Sequence, residues 1–109
     1  MVRPKHTRRD MNHARIVQEL RDLGAYVADC ADVGGEVPDL FVCWRGICRP
    51  VEVKQRGKER DLTEGEANCK WRTARAHTPL LVVTCIEDVL NAWAKLMKEG
   101  RQPCDDESF

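Results

Sequence analysis

Two β-prone runs joined by a two-residue link constrain the fold of this chain most. The runs span residues 39–44 and 47–54, and the polar dipeptide Arg45-Gly46 lies between them. Two strands that are separated by a two-residue link containing glycine are typical of a β-hairpin. The sequence therefore predicts an antiparallel pair of strands in the middle of the chain.

A helical pattern precedes this hairpin. Apolar residues recur at helical spacing from Ile16 to Leu23, and Asp10 or Asn12 could cap the free amide groups at the start of such a helix. We therefore predict a first helix that begins near one of these two residues and ends at Gly24.

Two Thr-x-x-Glu patterns predict the later helices. Thr63 and Glu66 have the spacing of a capping box that opens a second helix, and Thr84 and Glu87 have the same spacing before the last one. Gly100 follows the final apolar residues of that last helix and is expected to end it.

Two further strands complete the predicted order of elements. Residues 25–30 favour a short strand, and the apolar run at 80–85 favours a strand buried on both faces in the centre of the sheet. The order is then helix, three strands, helix, strand, helix, which predicts an α/β fold with a mixed sheet flanked by helices. With 109 residues we expect one domain over 10–100, a basic flexible arm over 1–9 and an acidic flexible tail over 101–109.

Targeting signals and cysteine spacing bear on where the chain works. No apolar stretch approaches the roughly 18–20 residues of a membrane-spanning helix, and residues 1–9 lack the apolar region of a signal peptide. We therefore expect a cytoplasmic protein without membrane association, in which all six cysteines are free thiols. No Cys-x-x-Cys pair indicates a structural zinc site.

The formal net charge of zero conceals a segregation of charge along the chain. Residues 1–24 carry six Lys or Arg against three acids, and residues 45–75 carry nine against five. Residues 25–44 between them contain four acids and no Lys or Arg. Basic flanks suit a polyanion such as nucleic acid, and clustered carboxylates suit a hard cation.

Three residues of the predicted hairpin carry the chemistry. Side chains alternate along a strand, so Glu52 and Lys54 are expected on one face about 7 Å apart. The hairpin brings Asp39 across from the Glu52 region, although twelve residues lie between them in sequence. Two carboxylates and a backbone carbonyl offer the oxygen ligands that Mg²⁺ prefers, and a lysine beside them can stabilise charge on a phosphate group. The set predicts a centre for phosphodiester hydrolysis.

Neither half of this pattern is specific by itself, because Pro-Asp is an ordinary turn dipeptide and Glu-x-Lys an ordinary strand pattern. Together, Pro38-Asp39 and Glu52-Val53-Lys54 match the signature of PD-(D/E)XK nucleases. Over residues 10–95 the chain resembles the small stand-alone VRR-NUC and Holliday-junction-resolvase-like proteins of phages and bacteria. The segments that carry this resemblance are Asn12-His13-Ala14-Arg15-Ile16-Val17, Leu23-Gly24-Ala25, Gly34-Gly35, Pro38-Asp39-Leu40, Glu52-Val53-Lys54 and Leu62-Thr63.

The resemblance implies a restriction-endonuclease-like αβββαβ core followed by a C-terminal helix. It implies Mg²⁺ or Mn²⁺ bound by Asp39, Glu52 and the carbonyl of Val53, with Lys54 as the catalytic lysine and no small-molecule cofactor. The expected activity is that of a metal-dependent DNA endonuclease, with branched or junction DNA among its candidate substrates. A homodimer working in the cytoplasm of a bacterial or phage-infected cell is also implied. The alternative is a nucleic-acid-binding accessory protein that has this fold but no turnover.

Accessory roles remain open at several positions. Some members of the family contribute a polar residue from the first helix, and Asn12 and Glu19 are the candidates here, with a helix cap and a surface charge as their structural alternatives. Relatives often have Gln at the position of Glu66, for which the carboxylate of the capping box is the favoured role. Trp71 and Trp93 lie at the spacing of core residues. The cations expected to supply contacts to nucleic acid are Arg3, Lys5, Arg8, Arg9, Lys58, Arg60, Lys70 and Arg72.

Overall fold

The computed structural model describes residues 4–100, and it describes side chains from residue 12 onward. The predicted element order and the α/β class are confirmed. The elements are α1 (Pro4–Asp22), β1 (Tyr26–Asp29), β2 (Leu40–Trp44), β3 (Ile47–Val53), α2 (Glu64–Arg75), β4 (Leu81–Val83) and α3 (Ile86–Glu99).

The sheet has four strands in the order β1-β2-β3-β4. The β1–β2 and β2–β3 pairs are antiparallel, whereas β4 runs parallel to β3. In the link between β2 and β3, Arg45 has φ 53° and Gly46 has φ 82°. Positive φ at both central residues is typical of a type I′ turn, whose twist matches that of the flanking strands. The predicted hairpin is confirmed.

The prediction of a central position for the last strand is wrong. Within residues 4–100, β4 pairs with β3 alone and forms an edge of the sheet. Its length is three residues, and Leu81 and Val82 are only half-buried. The reason is topological, because β2 already occupies the other side of β3 and the last element, α3, is a helix. A continuous apolar run could not reveal this arrangement.

The first helix starts earlier than predicted. It begins at Pro4 instead of Asp10 or Asn12, so residues 4–9, expected to belong to a flexible arm, form its first turns. Proline suits the first helical position because its φ is preset and its missing N–H is not needed there. Asn12 therefore lies inside the helix and is not its cap. The tail predicted over 101–109 lies outside the described residues.

The two predicted capping boxes have different outcomes. The box at the start of α2 is confirmed, with Thr63 as the N-cap. At α3 the predicted partner Glu87 is wrong, because Asp88 Oδ2 accepts hydrogen bonds from the Thr84 main-chain N–H at 2.8 Å and the Thr84 hydroxyl at 2.9 Å. The N-cap of this helix is Cys85, one residue later than predicted, which moves the carboxylate by one position too. Gly100 ends α3 as predicted.

The hydrophobic core lies between one face of the sheet and the helices α1 and α3. Val51 and Val53 of β3 enter this face, and Trp93 of α3 is 1% exposed there. The Trp93 indole N–H donates to the main-chain oxygen of Trp44 at 2.9 Å, which satisfies its polar atom within the core. Alternation along β3 directs Glu52 to the opposite face, where it meets α2.

The expectation that all cysteines are free thiols is wrong at one pair. Cys43 and Cys48 are partners in the register of the hairpin and form a disulfide across it. Cys30, Cys69 and Cys85 are free. None of the helices in the described part of the chain combines the length and apolarity that crossing a lipid bilayer would take.

Candidate active site

The structure brings Asp39 and Glu52 together on one face of the sheet. Leu40 pairs with Val51, so continuing the register by one residue sets Asp39 opposite Glu52. Asp39 Oδ2 accepts a hydrogen bond from the Val53 main-chain N–H at 3.0 Å, which fixes the carboxylate against β3. Asp39 is 5% exposed and Glu52 is 1% exposed, so both carboxyl groups are shielded from bulk water.

Glu52 has a strongly perturbed acidity. Burial raises the pKa of its carboxyl group, and hydrogen bonding to Glu66 together with the negative charge of Asp39 raises it further, to about 9. Both causes disfavour the ionised form, because it would be poorly solvated and would lie beside other carboxylates. In the metal-free protein Glu52 therefore carries a proton at neutral pH.

Glu66 links the start of α2 to Lys54. Its Oε1 accepts from Lys54 Nζ at 2.8 Å and from the Thr63 main-chain N–H at 2.9 Å. Burial acts to raise the pKa of Glu66, but the hydrogen bonds from Glu52, Lys54 and Thr63 outweigh it and lower the pKa to about 2. Glu66 is therefore ionised. Its predicted capping role is confirmed, and the same oxygen also holds Lys54.

The two candidates on the first helix have different surroundings. Asn12 Nδ2 donates to the main-chain oxygen of Lys54 at 3.3 Å, so this side chain touches the end of the segment that carries Glu52 and Lys54. Glu19 lies 3.8 Å from Arg15 Nε, one helical turn away. Its environment fits the surface-charge interpretation, whereas Asn12 borders the site.

A glycine contact positions the loop that precedes Asp39. Gly35 lies in the left-handed region with φ 63°. A Cβ atom at position 65, in the first turn of α2, would lie 2.7 Å from the carbonyl carbon of Gly35 and closer still to its oxygen. Glu36 accepts from Asn68 Nδ2 at 3.4 Å on the same helix. Sequence reasoning missed this docking of the loop on the helix; its one local signal was a glycine between the two residues of the capping box, Thr63 and Glu66.

The donor atoms at this site fit a hard divalent cation. Among the described residues no group of three or more His, Cys, Asp or Glu side chains is arranged to hold a metal ion. The available set is therefore two carboxylates, Asp39 and Glu52, and the main-chain carbonyl of Val53. Mg²⁺ is commonly bound through one or two carboxylates, with water and substrate phosphate as further ligands. Burial is the main cause of the raised pKa of Glu52, and the negative charges of Asp39 and Glu66, which a cation would offset, contribute to it as well.

The predicted nucleic-acid-binding cations are found in two places. Lys58 and Arg60 are exposed on the loop between β3 and α2, and Lys70 and Arg72 are exposed on α2. The cations predicted at the start of the chain, Arg3, Lys5, Arg8 and Arg9, lie outside the part whose side chains are described.

The two tryptophans predicted as packing residues differ. Trp93 is confirmed as a core residue, but Trp71 is 59% exposed and the prediction for it is wrong. Helical spacing marks a face of α2 without showing what covers it.

Comparison with known proteins adds no relative. No protein-family model, no curated protein and no solved structure matches the chain. The functional interpretation therefore depends on the geometry of Asp39, Glu52, Lys54 and Glu66.

Proposed function

We propose that this protein is a Mg²⁺- or Mn²⁺-dependent phosphodiesterase of the PD-(D/E)XK type that cleaves DNA. The observation that carries the proposal is the convergence of Asp39 and Glu52 on one buried sheet face, next to a lysine held in place by Glu66. Two shielded acids, of which Glu52 has a raised pKa, beside a positioned lysine are unusual for a structural surface and common at catalytic sites.

Two carboxylates and one main-chain carbonyl would hold the metal ion. Asp39 and Glu52 would supply one carboxylate each, and Val53 would supply its carbonyl oxygen. When bound, the ion supplies Lewis-acid polarisation of a phosphate oxygen and a lower pKa for a water molecule. The hydrogen bond from the Val53 N–H to Asp39 keeps that carboxylate oriented against β3.

Lys54 acts on the reacting phosphate. Its ammonium group projects from the same face as Glu52, because the two residues are separated by one position in an extended segment. The contact with Glu66 Oε1 at 2.8 Å restricts its position. A fixed cation there orients an attacking water molecule and offsets the negative charge that builds on the phosphate. No covalent intermediate is needed.

Metal-dependent cleavage of labelled nucleic acids tests this proposal. The panel contains linear duplex, single-stranded, flap and four-way-junction DNA and matched RNA, each with Mg²⁺, Mn²⁺ or EDTA. We expect cleavage of DNA that requires the metal and is lost in Lys54→Ala, whereas Lys95→Ala, on an exposed position of α3, leaves it unchanged. Binding of nucleic acid without cleavage of any substrate would instead favour the accessory protein without turnover.

The homodimer implied by the resemblance is part of the same proposal. Cutting both strands of a duplex needs two sites, which a symmetric dimer supplies. Sedimentation of the protein alone and on DNA tests it, and a strict monomer in both conditions would remove it.

A further inference from the structure

Trp71 is the exposed tryptophan of this chain. Of the three tryptophans, Trp93 is in the core and Trp44 is half-buried with its ring centroid 6.3 Å from that of Trp93. Trp71, on α2, is 59% exposed. An indole side chain offers a large flat apolar surface, and the exposure of Trp71 on α2 leaves that surface accessible to a ligand.

One cation contacts this indole and two more are its neighbours in sequence. The guanidinium carbon of Arg75 lies 4.8 Å from the centroid of the Trp71 ring. Residues 67–86 contain Lys70, Arg72 and Arg75 and no acid. Glu36, from the loop before β2, lies 3.3 Å from Arg72 Nε, and both side chains of that pair are largely exposed. The surface is therefore aromatic and positively charged, which suits a polyanion that also carries flat rings.

Trp71 lies on the helix that also carries Glu66 of the candidate active site. It follows Glu66 by five residues, which corresponds to about 7.5 Å along the helix axis and about 140° around it. Trp71 therefore faces a different side of α2 from Glu66, whereas Lys70, four residues after Glu66, lies on the same helix face as Glu66. A strand that reaches both Lys54 and Trp71 would pass around α2 by way of Lys70.

We propose that Trp71 is a stacking platform for an unpaired nucleobase of a bound strand, with Lys70, Arg72 and Arg75 contacting the adjacent phosphates. A base inside a duplex has both faces covered by its neighbours, so a surface indole selects a single-stranded or splayed segment. The guanidinium of Arg75 lies over one face of the ring, so a base would stack on the other face. The substrate class, DNA, rests on the proposed function. What is added is that the protein recognises a single-stranded segment of that DNA.

The test is binding without cleavage, measured by fluorescence anisotropy in EDTA. The probes are a labelled single-stranded oligodeoxynucleotide and an abasic strand of the same length, which keeps the phosphates but has no bases. We expect Trp71→Ala to weaken binding of the normal strand by about tenfold or more, the scale of one lost base–aromatic stack. Its affinity for the abasic strand should not change, and Trp71→Phe should restore most of the loss. Tyr26→Ala, which removes an aromatic residue that is 66% exposed on β1, should bind like the unmodified protein.

Three outcomes would overturn the platform. The first is an affinity of Trp71→Ala within about twofold of the unmodified protein. The second is an equal loss of affinity for the normal and abasic strands. The third is a change in sedimentation showing that Trp71 joins two copies of the chain. Because binding is measured without metal, the result is independent of catalysis. If Trp71→Ala weakens binding of the normal strand alone but the protein cleaves no substrate, the platform is upheld and the nuclease proposal is removed. If the protein cleaves DNA but Trp71→Ala binds normally, the nuclease proposal is upheld and the platform is removed.

Discussion

Replacing Gly65 by alanine sets two physical effects against each other. Alanine is favoured over glycine in a helix by up to about 1 kcal/mol, which alone would stabilise α2. In this structure the new Cβ would lie 2.7 Å from the carbonyl carbon of Gly35, and main chain cannot yield as a flexible side chain can. Forcing such overpacking costs about 1–3 kcal/mol. We therefore expect a net decrease of up to about 2 kcal/mol in the free energy of unfolding.

The same substitution should also reduce activity. The loop pushed by the new methyl group leads directly into Asp39, so the carboxylate would shift relative to Glu52. A displacement of about 1 Å in a catalytic constellation can lower the rate by about a hundredfold. We expect the rate of single-turnover cleavage of DNA to fall by at least about tenfold, because the carboxylate would move by less than about 1 Å.

Urea denaturation followed by circular dichroism, beside the cleavage assay, measures both effects. Ala67→Gly is the matched control, because position 67 is exposed on the same helix and reports helix propensity without the contact. That control should lose stability but keep activity. A Gly65→Ala protein that is more stable than the unmodified chain and fully active would refute the proposed docking of the loop on α2.

Three further predictions concern catalysis, pH dependence and the disulfide. Lys54→Ala should slow the chemical step by about a hundredfold while metal binding by calorimetry is kept, whereas Asp39→Ala should lose metal affinity as well. Hydrogen bonds from Thr84, the residue before the α3 N-cap, lower the pKa of Asp88. The stabilisation of the folded state by ionised Asp88 is therefore present above the ordinary carboxyl pKa and is lost as the pH falls below it. Asp88→Ala should therefore cost about 1 kcal/mol near pH 7 and much less near pH 3 in urea denaturation, and an equal cost at both would contradict this assignment. Reducing the Cys43–Cys48 disulfide, which spans five residues, should lower the free energy of unfolding by about 2 kcal/mol, and peptide mapping under non-reducing conditions should show the link.

Local chemistry accounts for the parts of the fold that the sequence predicted well. The Arg45-Gly46 link determines a hairpin because two successive residues with positive φ are rarely compatible with anything else. The capping box at Thr63 and Glu66 is also complete within four residues. The edge position of β4 was mispredicted because strand neighbours are decided by the whole topology. The start of α1 at Pro4 was missed because its first turns lack the apolar periodicity used to recognise a helix.

The candidate site also combines features that local sequence predicts with features that it does not. Alternation along one strand and the register of one hairpin suffice to predict that Asp39, Glu52 and Lys54 converge. The contact of Gly65 with Gly35 joins residues thirty positions apart, and no local pattern encodes it. The exposure of Trp71 was likewise unpredictable, because helical spacing marks a face without showing whether another element covers it.

The shared oxygen of Glu66 narrows which residues can replace it during evolution. Glu66 Oε1 accepts from both the Thr63 N–H and Lys54, so a replacing side chain must place an acceptor within hydrogen-bond distance of both donors. Aspartate is one methylene shorter, and alanine offers no acceptor. Glutamine keeps the length and presents a carbonyl oxygen that can serve both donors. Drift at this position should therefore be confined to Glu and Gln.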